Sequence, residues 1–265
     1  MSTIVTLTTD WGQSDYYIGA VKAAILSKVP DTVFVDISHN IESFSVAQAA
    51  FVLKSSYKQF PAGTIHIVGV DSEPDKNGKI IIISHLEQIF ILNDNGIAGL
   101  LFGNEIKPAI IIETGFAFEG SSFTELSVFS NIAVIILKNG DVEKFGTKSI
   151  DYKRYPELLP SLETNIITGE VIYIDSYGNA VTNISKELFE RNIGDTKFEI
   201  IINSNFYKSK YIYTSYKEVD KGDIVCLFNS LGLLEIAIRE GSATQLLSLK
   251  RKSEIRIKYQ LWKDF

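Results

Sequence analysis

The chain has 265 residues, 45% of them apolar and 22% charged, with a net charge of −6. Such a composition excludes wholesale disorder, and the acidic balance excludes a general basic surface for nucleic acid. The single cysteine, Cys226, excludes an internal disulfide framework and a thiolate zinc cluster.

The first half alternates strand-like and helix-like segments. Ile4-Val5-Thr6-Leu7-Thr8 reads as a strand that runs out at Asp10, and residues 16–29 carry apolar side chains at helical spacing up to Pro30. Residues 32–37 read as a second strand, 45–60 as a helix with Ser43 or Ser45 as cap, and 64–70 as a third strand ending at Asp71. Strands at 79–84, 88–92 and 109–113 and a helix at 127–137 complete the pattern. Alternation of this kind predicts an α/β domain with a mostly parallel sheet covered by helices. From Gly169 onward short strands follow one another at 170–174, 197–202, 210–213, 224–228 and 254–259, as in a small all-β barrel. The expected organisation is an N-terminal α/β domain over 1–145, a linker over 146–168 and a C-terminal β-barrel domain over 169–265. No apolar run approaches the ~18 residues of a membrane span, and Met1-Ser2-Thr3-Ile4-Val5-Thr6 has neither the basic nor the apolar part of a signal peptide. A cytoplasmic protein with no membrane and no nucleic-acid partner is expected.

Three strands of the first domain are expected to end in an aspartate: Asp10, Asp36 and Asp71. Open parallel sheets take ligands outside the carboxyl ends of their strands, and carboxylates there can accept paired hydrogen bonds from a vicinal diol such as a ribose. Each aspartate has the alternative role of capping the next helix. No G-x-G-x-x-G follows the first strand, and no G-x-x-x-x-G-K-[ST] or G-x-S-x-G is present. Phosphate cradling is unsupported, whereas a phosphate-free nucleoside remains open. His39, His66 and His85 form no H-E-x-x-H pair, and no metal site is expected. His66 reads as a satisfied core histidine, and His39 as a residue that orients the loop after the second strand. Asp175-Ser176-Tyr177-Gly178-Asn179 reads either as a hairpin turn or as an aromatic face flanked by hydrogen-bonding groups, suited to a purine or an amino-acid zwitterion.

Taken in order, these segments resemble a known family. The stretches are Thr9-Asp10-Trp11-Gly12 with Asp15-Tyr16-Tyr17-Ile18-Gly19, Val35-Asp36-Ile37-Ser38-His39-Asn40-Ile41, Phe60-Pro61-Ala62-Gly63-Thr64-Ile65-His66 leading to Val70-Asp71, and Asn93-Asp94-Asn95-Gly96. They continue with Gly169-Glu170-Val171-Ile172-Tyr173-Ile174-Asp175-Ser176-Tyr177-Gly178-Asn179, Thr182-Asn183-Ile184, and Asn229-Ser230 with Gly232 and Leu234-Glu235-Ile236-Ala237. The set is similar to the S-adenosylmethionine (SAM) hydroxide adenosyltransferases, relatives of the SAM-dependent chlorinase and fluorinase. The resemblance implies a homotrimer in which SAM lies between the N-terminal domain of one subunit and the C-terminal domain of its neighbour. It implies attack at the ribose C5′ with methionine as leaving group, SAM being substrate and no cofactor being needed. By position, Asp10 would hold the ribose hydroxyls. Phe44, Tyr177 and Tyr216 would supply aromatic contacts, Asp175 and Asn179 would bind polar groups, and Asn229, Ser230 and Glu235 would lie near the adenine or methionine ends.

A sulfonium leaves as a neutral thioether, so the protein must align and partly desolvate the nucleophile rather than protonate the leaving group. Asp71 is the candidate to hold and polarise that water. The hydrolases of the family carry an Asp-Arg-His set. Here the segment from Asp71 to Lys79 contains no arginine, leaving Lys76 or Lys79 as a stand-in, and Phe123-Thr124-Glu125-Leu126-Ser127 puts Thr124 where the pattern has histidine. Glu125 reads either as a replacement base or as a solvated residue in the first turn of a helix. As an ionised group it would repel a bound halide. The expected catalytic set is Asp71, Thr124, Glu125 and Lys79. The expected function is hydrolysis of SAM to adenosine and methionine. The alternatives are a SAM- or adenosine-binding protein that has lost turnover and, disfavoured by Glu125, a SAM-dependent halogenase.

Overall fold

The computed structural model describes residues 4–72, 78–103, 105, 107–113, 123–203 and 206–260. The chain divides into two compact units, Met1–Glu157 and Leu158–Phe265.

The first unit runs β1 (Ile4–Thr9), α1 (Tyr17–Leu26), β2 (Val33–Ser38), α2 (Val46–Lys54), β3 (Ile65–Gly69), β4 (Lys79–His85), β5 (Gln88–Asn93), α3 (Ile97–Phe102), β6 (Ala109–Glu113), a π-helical turn (Glu125–Phe129) leading into α4 (Ser130–Leu137), and β7 (Thr147–Ser149). Among the described residues the strands form one sheet in the order β2-β1-β3-β5-β4-β6-β7. Four consecutive isoleucines in β4 show how it is buried. Ile80 and Ile82 pack with Val21 and Ile25 of α1 and Phe129, Ile132 and Ala133 of the π turn and α4. Ile81 and Ile83 point the other way, into a core with Ala49 and Leu53 of α2 and Ile97 and Leu101 of α3. The period-2 alternation of a strand therefore feeds two cores, one on each face, and explains why these strands are apolar throughout. Each side chain buried this fully contributes about 1.5–3 kcal/mol of transfer free energy.

The sheet is mixed, not mostly parallel as the alternation suggested. β1 pairs in parallel with β2 and β3, and β3 with β5. The β4–β5, β4–β6 and β6–β7 pairs are antiparallel. The reason is the connection between β4 and β5: His85 pairs directly with Gln88, leaving only Leu86 and Glu87 to reverse the chain. Two residues cannot carry a parallel crossover, but they suffice for a hairpin. α2 is shorter than expected and continues only as a single 3-10 turn at Tyr57–Gln59. Ser55 and Ser56 donate back to the carbonyls of Phe51 and Val52, at 2.7 and 3.2 Å, a competition that weakens a helix end.

The second unit runs β8 (Ser161–Glu163), β9 (Ile166–Ile174), β10 (Ala180–Ser185), α5 (Lys186–Asn192), β11 (Phe198–Ile202), β12 (Tyr207–Ser209), β13 (Ile224–Phe228), β14 (Leu233–Ile238), α6 (Ala243–Leu246) and β15 (Glu254–Tyr259). Its antiparallel sheet follows the order β12-β11-β15-β9-β10-β14-β13, with β8 on β9. Just beyond β12 the Tyr213 N–H donates to the Cys226 carbonyl at 2.8 Å, so the two ends of the strand order meet as in a nearly closed barrel. The strand expected at 210–213 lies earlier, at Tyr207–Ser209. Within residues 146–168, Thr147–Ser149 and Ser161–Glu163 form strands.

Leu86 and Glu87 both hold positive φ, 51° and 58°. An L-residue is strained in this region, whereas Asn-Gly is suited to the type I′ hairpin it forms. Replacing Leu86 by Asn together with Glu87 by Gly is expected to stabilise the fold by about 1 kcal/mol, read as a higher urea midpoint at unchanged slope.

Candidate functional site

β1 and β3 pair in register, Thr9 against Gly69, so Asp10 and Asp71 leave the sheet from neighbouring carboxyl ends. The Asp10 N–H donates to the Gly69 carbonyl at 3.4 Å. Asp10 Oδ2 accepts the backbone N–H of Phe44 at 2.8 Å. Phe44 holds φ 66° and leaves its ring 76% exposed, an arrangement that costs backbone strain and apolar exposure together. Asp71 also has a left-handed backbone, φ 47°. Its carbonyl accepts from the side-chain amides of Asn93 and Asn95, both at 3.1 Å, while Asn95 also donates to the Val70 carbonyl at 3.1 Å. Two amides from the end of β5 thus clamp the strained turn. Replacing Asn95 by Ala removes one clamp and is expected to lower stability by about 1 kcal/mol, measured as a lower Tm.

Glu125 is the least expected element. It lies in the first turn of the helical segment, as one reading of the sequence had it, but it is buried, 3% exposed, rather than solvated. The Ser72 hydroxyl donates to its Oε1. Gly69 makes the space: a Cβ there would lie 2.5 Å from Trp11 Cζ2 and 3.1 Å from Glu125 Oε1. The Trp11 ring covers this corner, edge-on to Phe123 at 5.2 Å and stacked on His39 at 6.5 Å. Burial pushes the Glu125 carboxyl up to about 7, and the negative charge of Asp10 adds to the rise against a backbone hydrogen bond that lowers it. Thr124 is buried beside it. Lys79 directs its ammonium toward Asp151 at 3.9 Å. Lys76 lies outside the described residues.

Asp36 does not end its strand. It sits inside β2, where burial opposes its ionisation but Lys22 at 2.6 Å and His39 at 3.2 Å hold its carboxyl below the ordinary value. His39 Nδ1 lies 2.7 Å from the Thr9 hydroxyl, and its carbonyl accepts the Gly12 N–H at 2.8 Å, which ties the loops after β1 and β2 together. His66 is the satisfied core residue expected, with Nδ1 2.7 Å from Thr6 Oγ1 and Nε2 3.1 Å from Gln88 Oε1. Burial pushes it down to about 4, against the bond to Gln88.

The second unit gathers the other residues singled out from the sequence. Asp175–Asn179 is a hairpin turn in which Asp175 Oδ1 accepts the N–H groups of Tyr177 and Asn179 at 2.9 and 2.8 Å, and Oδ2 accepts the Asn179 amide at 3.0 Å. Gly178 is required there by φ 80° and because a Cβ would lie 2.2 Å from Ser242 Oγ. The turn leaves the Tyr177 ring 79% exposed. Glu235, buried in β14, accepts from Tyr216 Oη at 2.5 Å and from the Asn229 amide at 3.2 Å. Burial, then the bond to Glu235, raises the Tyr216 phenol, so it stays a donor at neutral pH. Asn229 Oδ1 accepts the N–H groups of Leu231 and Leu233 at 3.0 and 3.2 Å, leaving Ser230 exposed on the turn. A separate cavity of about 260 Å³ in this unit, bordered by Leu159, Thr168, Glu170, Asn183, Lys252 and Glu254, contains none of these residues.

The structure therefore groups Asp10 with Phe44, Asp71 with the Ser72–Glu125 pair, Asp175 with Tyr177 and Asn179, and Tyr216 with Asn229 and Glu235. Trp11, Ser72, Asn93 and Asn95 gained no role from the sequence. The two asparagines stood in the sequence only as part of the family stretch Asn93-Asp94-Asn95-Gly96, and Ser72 gave no local signal. Among the described residues no three or more His, Cys, Asp or Glu are arranged to hold a metal ion, and no helix is long and apolar enough to cross a membrane.

A mixed α/β unit with carboxylates at adjacent strand ends, followed by an antiparallel β unit, matches a defined class. The profile of the SAM hydroxide adenosyltransferase N-terminal domain matches residues 5–146, and that of its C-terminal domain residues 169–256. The chain belongs to this family. It is 30% identical to a Methanocaldococcus jannaschii protein named (R)-S-adenosyl-L-methionine hydrolase, over 97% of this chain and 96% of that one. A Thermus thermophilus protein of the same name is 24% identical over 96% of this chain and 98% of its own length. The crystal structure of an uncharacterized conserved protein from Thermotoga maritima superposes with a TM-score of 0.84 at 29% identity, covering 96% of this chain and 99% of that chain. The crystal structure of a conserved hypothetical protein from Thermus thermophilus superposes with a TM-score of 0.75 at 23% identity, covering 98% and 100%, and bears on the fold alone.

The shifted groups give stability opposite pH slopes. The unfolded chain protonates histidine near 6.5, the folded His66 only near about 4, so its contribution is present above about 6.5 and lost as pH falls. Folded Glu125 keeps its proton up to about 7 whereas the unfolded side chain releases it near 4.3, so its contribution is lost as pH rises through that window. Each effect amounts to roughly 3 kcal/mol. Urea midpoints at pH 5, 6 and 7 are expected to fall with rising pH in His66→Gln and to fall with decreasing pH in Glu125→Gln. The wild type is expected to be flatter than either.

Proposed function

We propose that the protein hydrolyses SAM to adenosine and methionine by attack of water on the ribose C5′. The observation that carries this reading is full-length relationship to proteins named (R)-S-adenosyl-L-methionine hydrolase, combined with carboxylates at the adjacent ends of β1 and β3. Asp10 holds the ribose hydroxyls, with the Phe44 ring beside it. Asp71 holds and polarises the water and favours the cationic sulfonium, whose charge disappears as the thioether leaves. Asp175, Asn179, Asn229, Ser230 and Glu235, with the rings of Tyr177 and Tyr216, bind the remainder of the substrate. Thr124 contributes a hydrogen bond and no titration near neutrality. Lys79 is a weaker candidate, since its ammonium faces Asp151. The reaction so written needs no cofactor. The protein acts as a cytoplasmic homotrimer, a neighbouring subunit's C-terminal residues completing each site.

Above about pH 7, where the buried Glu125 carboxyl is ionised, it argues against a halide as nucleophile, because an anion beside it is repelled at low effective dielectric. A second reading, ligand binding without turnover, is favoured by one observation: Thr124 stands where the resemblance calls for histidine. Incubation of the pure protein with SAM separates the readings. Adenosine and methionine are expected in equal amounts, and Asp71→Asn is expected to lower turnover at least about 100-fold. No adenosine above the blank would reject hydrolysis. Calorimetric binding of SAM in that case would support the second reading, and a 5′-halogenated product would support the halogenase.

A further inference from the structure

We propose that Ser72 and Glu125 form a proton relay for the attacking water, Ser72 receiving the proton of the water held at Asp71 while passing its own to the Glu125 carboxylate. The inference rests on the hydrolase reading and adds to it the destination of the proton.

Five observations support the relay. Ser72 directly follows Asp71, whose backbone is held in its left-handed turn by Asn93 and Asn95. The Ser72 hydroxyl donates to Glu125 Oε1, joining residues 53 positions apart. Asp71 is exposed, Ser72 half-buried and Glu125 buried, so the series leads from solvent to a dry acceptor. Gly69 is the residue that permits this, because any side chain there would collide with Trp11 and crowd the carboxylate. Glu125 also opens a π-helical turn, Glu125–Phe129, a rare geometry concentrated at functional sites.

The chemistry balances. The C5′–O bond forms as the C5′–S bond breaks, and sulfur leaves as a neutral thioether with the bonding pair. The excess proton of the attacking water moves to Ser72 Oγ as the serine proton moves to Glu125, and the carboxylic acid later returns it to solvent. A hydrolysis that releases one proton near neutral pH needs an acceptor poised there, and a carboxyl raised to about 7 meets that requirement where an ordinary glutamate would be a weak base. The groups facing the carboxyl are Asp10 and Trp11 from the end of β1 and Ser72 beside Asp71 from the end of β3. Tyr17 of α1 packs behind through Phe123, and His39 stacks on Trp11. Among the described residues no lysine or arginine shifts the Glu125 carboxyl, so its titration is not pinned low by a cation.

The test is a pH series of kcat for the wild type, Glu125→Gln, Ser72→Ala and Ser72→Thr, with SAM binding followed by calorimetry to show that each variant folds. The wild-type rate is expected to rise tenfold per pH unit below about 7 and then level off. Glu125→Gln is expected to lose about 100- to 10,000-fold in kcat with little change in SAM affinity, and to lose the inflection. Ser72→Ala is expected to slow turnover and move the inflection upward, because a donor to the charged carboxylate is gone. Ser72→Thr keeps the hydroxyl and should restore both rate and profile. If the wild type makes adenosine but the four profiles share one inflection, the relay is wrong and the hydrolase reading stands. If the wild type makes none, the hydrolase reading falls and the relay with it.

Discussion

The in-register parallel pairing of β1 with β3 is the constraint on which the first unit's site depends. Thr9 lies opposite Gly69, so the next residues of both strands emerge side by side and bring Asp10 and the Asp71 turn to one edge. A register change of one residue would turn every side chain of a strand to the opposite face and exchange the two isoleucine-rich cores. The cores therefore hold the carboxylates in place indirectly, through a sheet buried on both faces.

Positions so determined create an electrostatic conflict that the local structure resolves. Two carboxylates leave adjacent strands, and Glu125 lies close enough to Asp10 for its own ionisation to be disfavoured. The protein does not neutralise Glu125 with a cation among the described residues. It buries the group, supplies a hydroxyl donor from Ser72 and closes the corner with Trp11. A buried acceptor with a raised pKa results, and such groups concentrate where chemistry is done. The strained turns at Phe44 and Asp71 lie in the same region, each held by hydrogen bonds from elsewhere in the chain.

The second unit solves a different problem, presenting polar and aromatic groups from tight turns on a rigid antiparallel sheet. Asp175 spends its acceptors on its own turn, and Glu235 spends two on Tyr216 and Asn229. These bonds fix the geometry of the turns and of the Tyr216 and Asn229 side chains. Tyr177 and Ser230, by contrast, are presented outward.

What the sequence determined by itself was the information carried by neighbours along the chain. Strand and helix periods, the change to short strands after Gly169, Asp10 and Asp71 at strand ends, the core role of His66 and the ordered family motifs all depend on residues a few positions apart. What only the tertiary structure decided were pairings between distant segments. Periodicity cannot tell whether β4 enters the sheet up or down, because a strand shows the same alternation in either direction. The burial of Glu125 was undetermined because its position in a helix's first turn suits solvent equally well. It became an interior group only when Ser72, 53 residues away, and Trp11 from the end of β1 met it across the end of the sheet. Lys79 has the charge of a site residue, but only the fold shows that its ammonium lies 3.9 Å from Asp151. Side-chain chemistry is written locally, but its surroundings, and hence its pKa and its partner, are set by the non-local packing that burial enforces.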